Sequence, residues 1–243
     1  RYVMGWIAFL IQKPGERHEV ALVLRGGKGC GKGTLANFLV KIFGRHGLAI
    51  SHPRHLTGNF NDHLLDCCFL FADEAFFAGD RSSEGSLKAT ITEPHLTIEP
   101  KGLPLFTTTN RLSVLMAANK EYVVPASADE RRYVVLDVSE SRKGDRKYFN
   151  QLKAWEKEDC NVVAFIEYMQ GYDLTGFEVR DVIETRELAE QREHSLPAEA
   201  QWWRDILNAG RYTLRSDTGI VNFYRLGPTV RNSDLQRSYL QYC

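Results

Sequence analysis

The chain has 243 residues, 43% of them hydrophobic and 26% charged, and a mass of 27.7 kDa. That is enough for one large domain, or one and a half, with a buried core; it excludes disordered, collagen-like and coiled-coil classes. Lys and Arg total 31, as do Asp and Glu, so the formal net charge is zero and no overall basicity advertises a nucleic-acid partner.

The chain starts at Arg1 and not at Met, which reads as a fragment of something longer. Residues 3–12 have the pattern of a short amphipathic helix, closed by Lys13-Pro14-Gly15. The apolar run at 6–11 is far short of the ~20 residues that cross a bilayer. No leader with a cleavage site is visible, so a cytoplasmic protein with no membrane partner is expected. The cysteines, Cys30, Cys67, Cys68, Cys160 and Cys243, are odd in number and lack C-x-x-C spacing. This argues against a disulfide framework or a zinc site and fits a reducing cytosol. His52 and His55 read as surface histidines in a turn.

Residues 19–27 form a near-continuous apolar run ending in glycines, as a buried parallel strand does. Residues 32–44 read as a helix with Leu35, Phe38, Leu39 and Ile42 on one face. A second buried strand, 67–75, ends in two acids. Residues 82–92 read as a helix with Ser83 as N-cap. Two short strands then flank a Pro-Lys-Gly turn, the second being "LPLFTTTN". Residues 131–139 form another strand, and the pattern is helical at 147–158 and 162–172. Strands alternating with helices predict an α/β fold, a parallel sheet flanked by helices. The expected organisation is a core over 1–170 and a mostly helical extension over 171–243. Residues 171–197 read as charged turns and helices with little core signal; beyond them come a helix at 199–210, a strand-like stretch at 220–230 and a helix at 231–243.

The sharpest feature is Gly26-Gly27-Lys28-Gly29-Cys30-Gly31-Lys32-Gly33-Thr34, set between a buried strand and a helix. A phosphate-binding loop requires that context. Glycines let successive backbone N–H groups turn inward onto phosphate oxygens, and the helix N-terminus adds partial positive charge. Lys32 reaches the β- and γ-phosphates as a compact charge. Gly33 stands where Ser or Thr ordinarily holds Mg²⁺; Thr34 comes next, better placed to touch the α-phosphate, and is the hydroxyl left as a candidate for the metal.

Asp73 and Glu74 close the second strand, at the edge where ligands bind in open parallel sheets. Asp73 is expected to hold Mg²⁺, and Glu74 to orient and deprotonate a water attacking the γ-phosphate. Asn110, ending "LFTTTN", is expected to hydrogen-bond that water and a γ-phosphate oxygen. Arg131 and Arg132 are candidates for stabilising developing phosphate charge, in a neighbouring subunit's site; Arg131 is slightly preferred.

The order of these elements resembles the superfamily 3 helicases within the AAA+ class of P-loop ATPases. It is more closely similar to the helicase module of phage and plasmid primase-helicases, and of poxvirus-type ones. The resemblance rests on "GGKGCGKGT" as Walker A, "FLFADEA" as Walker B, "TTTN" as sensor strand and "DERRYVVLDVS" as arginine motif. "GSLKATITEPHLTIEPKG" matches the superfamily's additional motif. The resemblance runs from about residue 3 to 207; the remaining residues, to 243, resemble the start of a winged-helix-like region. It implies ATP and Mg²⁺ as substrate and cofactor, and a homo-oligomer in the form of a hexameric ring. It also implies a hairpin gripping single-stranded DNA through Lys101, with Lys88 as a second candidate, and a primase or polymerase domain preceding Arg1.

Two other functions compete with an ATP-driven DNA helicase. The loop is close to that of nucleoside monophosphate kinases, Gly33-Thr34 included, but such kinases do not need the Asp73–Glu74 pair. An ATP-dependent DNA loader or switch without unwinding shares every motif named.

Overall fold

The computed structural model describes all residues except 53, 54, 56, 57, 59, 75–80, 120–122, 128, 217 and 243, and the side chains of 81–83. Two compact units form, Arg1–Gln191 and Arg192–Cys243.

The first unit is built on five parallel strands. These are β1 (Ala21–Arg25), β2 (Gly47–Ile50), β3 (Phe69–Asp73), β6 (Ser113–Ala118) and β7 (Tyr133–Asp137). Their spatial order is β2-β3-β6-β1-β7. The sheet is covered on both faces, which is why β1 and β6 are buried along their whole length. Alternate residues serve opposite cores. Leu22, Leu24, Phe69, Phe71, Leu115 and Val134 pack with Trp6 and Leu10 of α1 (Tyr2–Gln12), Ala36 and Leu39 of α2 (Lys32–Phe43), and Met169 of α5 (Asp159–Gln170). Val23, Leu70, Val114, Met116 and Val135 pack with Leu87 and Ile91 of α3 (Arg81–Thr92). Leu188 of α6 (Arg186–His194) joins that second core. Helix α4 (Arg146–Trp155) comes after β7. No described helix is long and apolar enough to cross a membrane.

An antiparallel hairpin, β4 (His95–Ile98) and β5 (Phe106–Thr109), stands outside the sheet. Here the structure departs from the sequence-based expectation. "LFTTTN" supplies β5 of the hairpin; the strand between β1 and β3 is "SVLMAA", which was not expected as a strand, and neither was β2. Helix α3 starts at Arg81, which places Ser83 inside its first turn and not at its cap.

The unit boundary falls later than the expected 170/171 division, because the segment after Gly171 is held to the first unit. The Tyr2 hydroxyl donates to Val179 O, and the Phe177 ring packs on Tyr2 and on Gly5. The second unit contains α7 (Ala198–Ala209), the hairpin β8 (Arg211–Arg215) with β9 (Val221–Arg225), and α8 (Asn232–Tyr242). It is thus less helical than expected. Ile206 and Tyr212 are buried in it, and Trp202 lies edge-on to Tyr239.

Candidate active site

Three strand ends converge at the carboxyl edge of the sheet. Arg25 of β1 pairs in register with Ala118 of β6, and Asp73 of β3 with Ala117. Gly26 N donates to Ala118 O at 3.2 Å and Glu74 N to Ala117 O at 2.8 Å, so the loops that follow β1 and β3 are both pinned to the end of β6. Arg25 anchors this edge through Asp137 at 2.6 Å and Glu190 at 2.6 Å, and its guanidinium holds both carboxyls below their ordinary range.

The glycine-rich loop leaves β1 and enters α2 at Lys32. Gly29 (φ 80°) and Gly31 (φ 104°) have left-handed backbones that side chains rarely adopt, and a Cβ at Gly31 would meet Phe149 at 3.1 Å. Lys32 is only 8% exposed. Its Nζ donates to Gly26 O at 2.7 Å, Gly27 O at 2.9 Å and Asn119 Oδ1 at 2.8 Å. The Asn119 amide nitrogen donates in turn to Glu74 Oε1. Glu74 itself has φ 52°, a strained backbone for a non-glycine residue. Burial raises the Asp73 carboxyl above its ordinary value; the Glu74 charge adds to this and Lys32 opposes it.

Lys28, Gly29, Gly31, Lys32, Gly33, Thr34, Asp73, Glu74 and Asn119 line one cavity of about 340 Å³, with Phe149 and Lys153 at its side. A second cavity of about 530 Å³ adjoins it and shares Gly31, Lys32, Thr34 and Phe149. Its walls are apolar: Leu24, Cys30, Leu35, Phe38, Val138, Tyr148, Leu152, Trp155 and Phe165. Arg142 lies at this cavity with its guanidinium over the Tyr148 ring at 4.8 Å. A polar cleft joined to an apolar one accommodates a ligand with a charged end and a flat apolar end.

The structure therefore brings together the loop residues, Lys32, Thr34, Asp73 and Glu74. It does not bring Asn110 to them. Asn110 lies after β5 and before β6, at the opposite edge of the sheet, and is 2% exposed. Its amide donates to Thr90 O and Glu93 O, each at 2.8 Å, and Leu112 N donates to its Oδ1 at 2.9 Å. Every polar atom of that side chain is used in tying α3 to the start of β6, which corrects the role expected for it. Asn119, at the other end of β6, is the asparagine that lines the cavity and bonds Lys32 and Glu74. The available signal is the apolar run 114–118 followed by an asparagine.

Arg131 and Arg132 precede β7 and also lie at the amino edge, away from their own chain's loop. The buried Glu130 carboxylate fixes them, accepting from both backbone N–H groups and from Arg132 Nη1 at 3.1 Å. Lys101 is exposed in the turn between β4 and β5. Lys88 differs: its ammonium lies 2.6 Å from Glu84 and 4.0 Å from Glu130, so its charge is spent within the fold.

Asp73 and Thr34 present a carboxylate and a hydroxyl to the same cavity. Mg²⁺ is commonly bound by one or two protein oxygens with substrate phosphates and water completing the shell, and a cation would offset the Asp73–Glu74 repulsion; the donor set fits that metal.

A model described as a family of unknown function (DUF5906) matches residues 24–132. The chain is 26% identical over 184 residues to the DNA primase-polymerase of Nitratiruptor phage NrS-1, an alignment taking in 74% of this chain and 25% of that protein. Two solved apo structures of the NrS-1 C-terminal region (305–718) superpose with TM-scores of 0.70 and 0.67, each at 24% identity. They cover 85% of this chain and 51% and 50% of theirs. The chain thus spans a quarter of the curated relative and half of the solved region, and it shares that region's α/β fold.

Proposed function

We propose that this chain is the nucleoside-triphosphatase module of a phage-type replication protein, hydrolysing ATP to move on single-stranded DNA. The observation that carries the reading is the Lys32–Asn119–Glu74 chain of hydrogen bonds beside the glycine-rich loop. The likeness to a phage primase-polymerase favours a replication role and a linked primase or polymerase domain.

In this reading the loop amides and Lys32 hold the β- and γ-phosphates, and the γ-phosphate replaces the Gly26 and Gly27 carbonyls as the partner of Lys32 Nζ. Asp73 and Thr34 would hold Mg²⁺, which when bound would supply positive charge against the phosphates. Glu74 takes the proton of the attacking water, while the Asn119 amide orients its carboxylate toward that water. The base lies in the apolar cavity against Phe149 and its neighbours. Arg131 and Arg132, at the far edge, serve the site of an adjacent subunit in a hexameric ring. Lys101 at the hairpin turn contacts the DNA backbone; Lys88, already paired, does not.

The test is ATP hydrolysis with and without single-stranded DNA. The expected result is DNA-stimulated turnover that Lys32→Ala or Glu74→Gln abolishes. Wild-type protein that binds DNA and ATP yet releases no phosphate would remove the assignment. Phosphate transfer to AMP, independent of DNA, would replace it with a kinase.

A further inference from the structure

The hairpin of the second unit carries an unusual face. Paired residues in an antiparallel ribbon share a face, and the register is Arg211↔Arg225, Thr213↔Phe223 and Arg215↔Val221. These six residues form one surface, and all six are exposed, Phe223 by 60%. The other face holds Tyr212, 7% exposed, with its ring stacked on Tyr224 at 5.4 Å. That packing fixes the register, because a slip of one residue would turn the arginines inward.

Among the described residues none of Arg211, Arg215 and Arg225 pairs with a carboxylate, and two of them sit directly opposite each other, an arrangement that costs stability. Between Asp205 and Asp234 the sequence has four arginines, Arg211, Arg215, Arg225 and Arg231, against the single acid Asp217. The Arg211 guanidinium lies 4.5 Å from the centre of the Phe223 ring. The ring thus has one guanidinium over it and is still 60% exposed.

We propose that this face of the β8–β9 ribbon binds single-stranded nucleic acid, with Phe223 as a stacking platform for a base and Arg211, Arg215 and Arg225 on the flanking phosphates. Four residues along a strand span about 13 Å, so Arg211 and Arg215 meet the backbone on either side of the stacked base. An aromatic platform within a cationic groove is the arrangement that holds single strands without reading their sequence. Duplex DNA keeps its bases stacked on each other and offers nothing to Phe223. An acidic peptide would use the arginines alone. The surface is independent of the ATPase reading, because it needs neither nucleotide nor the carboxyl edge.

The experiment titrates the whole chain against a fluorescein-labelled oligo-dT by anisotropy, without nucleotide, at several salt concentrations. Phe223→Leu is expected to weaken binding about tenfold at every salt concentration, with Phe223→Trp restoring it. Arg211→Ala with Arg225→Ala is expected to weaken binding and to flatten the salt dependence by the loss of about two phosphate contacts. Lys32→Ala should retain the wild-type affinity, which separates this surface from the fate of the ATPase assignment. On wild-type protein, an oligonucleotide carrying 5-iodouracil should cross-link within 221–225. Affinity unchanged in both ribbon variants, equal binding of a blunt duplex, or cross-links confined to the β4–β5 turn would each overturn the proposal.

Discussion

The two edges of the parallel sheet use the same residue types to opposite ends. At the amino edge, His18, Asn110 and Glu130 are buried at 2% exposure each, and the structure supplies hydrogen-bond partners to all three. At the carboxyl edge, Asp73, Glu74 and Asn119 line an open cavity, Glu74 has a strained backbone, and Lys32 leans on carbonyl oxygens. A buried polar group tied by hydrogen bonds within the fold serves stability. One held by exchangeable partners beside a cavity is available to a ligand. The contrast is sharpest in β6, which carries Asn110 before its start and Asn119 after its end.

That contrast can be broken by substituting the two asparagines separately. Asn119→Ala should lower ATP turnover roughly 10²–10³-fold, the cost of losing one preorganised polar group at a reacting centre. Steady-state hydrolysis measures it, and wild-type turnover would place Asn119 outside the chemistry.

The next effect belongs to His18. Its ring lies between Trp6 and Phe9, with Nε2 2.9 Å from Trp6 O and Nδ1 against the Ser113 hydroxyl. Burial lowers its pKa from 6.5 to about 4. Between these values the unfolded chain binds the proton and the folded one does not. Stability is therefore full above pH 6.5 and falls by roughly 3 kcal/mol as the pH drops toward 4. Urea titrations across that range test this, and His18→Gln should flatten the dependence.

Asn110→Ala strands Leu112 N and two carbonyls in the interior. It should cost about 2–3 kcal/mol in urea unfolding, with turnover per folded molecule unchanged. Phe149→Ala, which opens the wall shared by the two cavities, should weaken ATP binding about tenfold. The smallest effect separates the two lysines. Lys88→Ala should cost about 1 kcal/mol of stability and leave oligonucleotide affinity alone, whereas Lys101→Ala should do the reverse.

The sequence made much of this architecture legible. The loop between a buried strand and a helix, the acids closing β3, the hairpin turn at Lys101 and every described helix of the core except α6 follow local periodicity and glycine placement. The stretch that holds helix α6 reads only as charged turns and helices, with no bounds for the helix, because α6 is short and polar and touches the core mainly through Leu188. Strand β2 has four residues and only Ile50 fully buried, too little pattern to stand out. Strand β6, "SVLMAA", has a single β-branched residue, Val114, where "FTTT" has three, and so carries a weaker strand signal.

By itself, then, the sequence determined the local chemistry: a loop able to cradle phosphate, carboxylates at a strand end and a lysine at a turn. Which strand lies between β1 and β3, and hence which asparagine meets Lys32, was decided only in three dimensions. Lys32 and Asn119 are 87 positions apart in the chain and 2.8 Å apart in the fold. Periodicity reports which face of an element is buried. It carries no information about the neighbour on the next strand, because that choice is made by packing over the whole sheet.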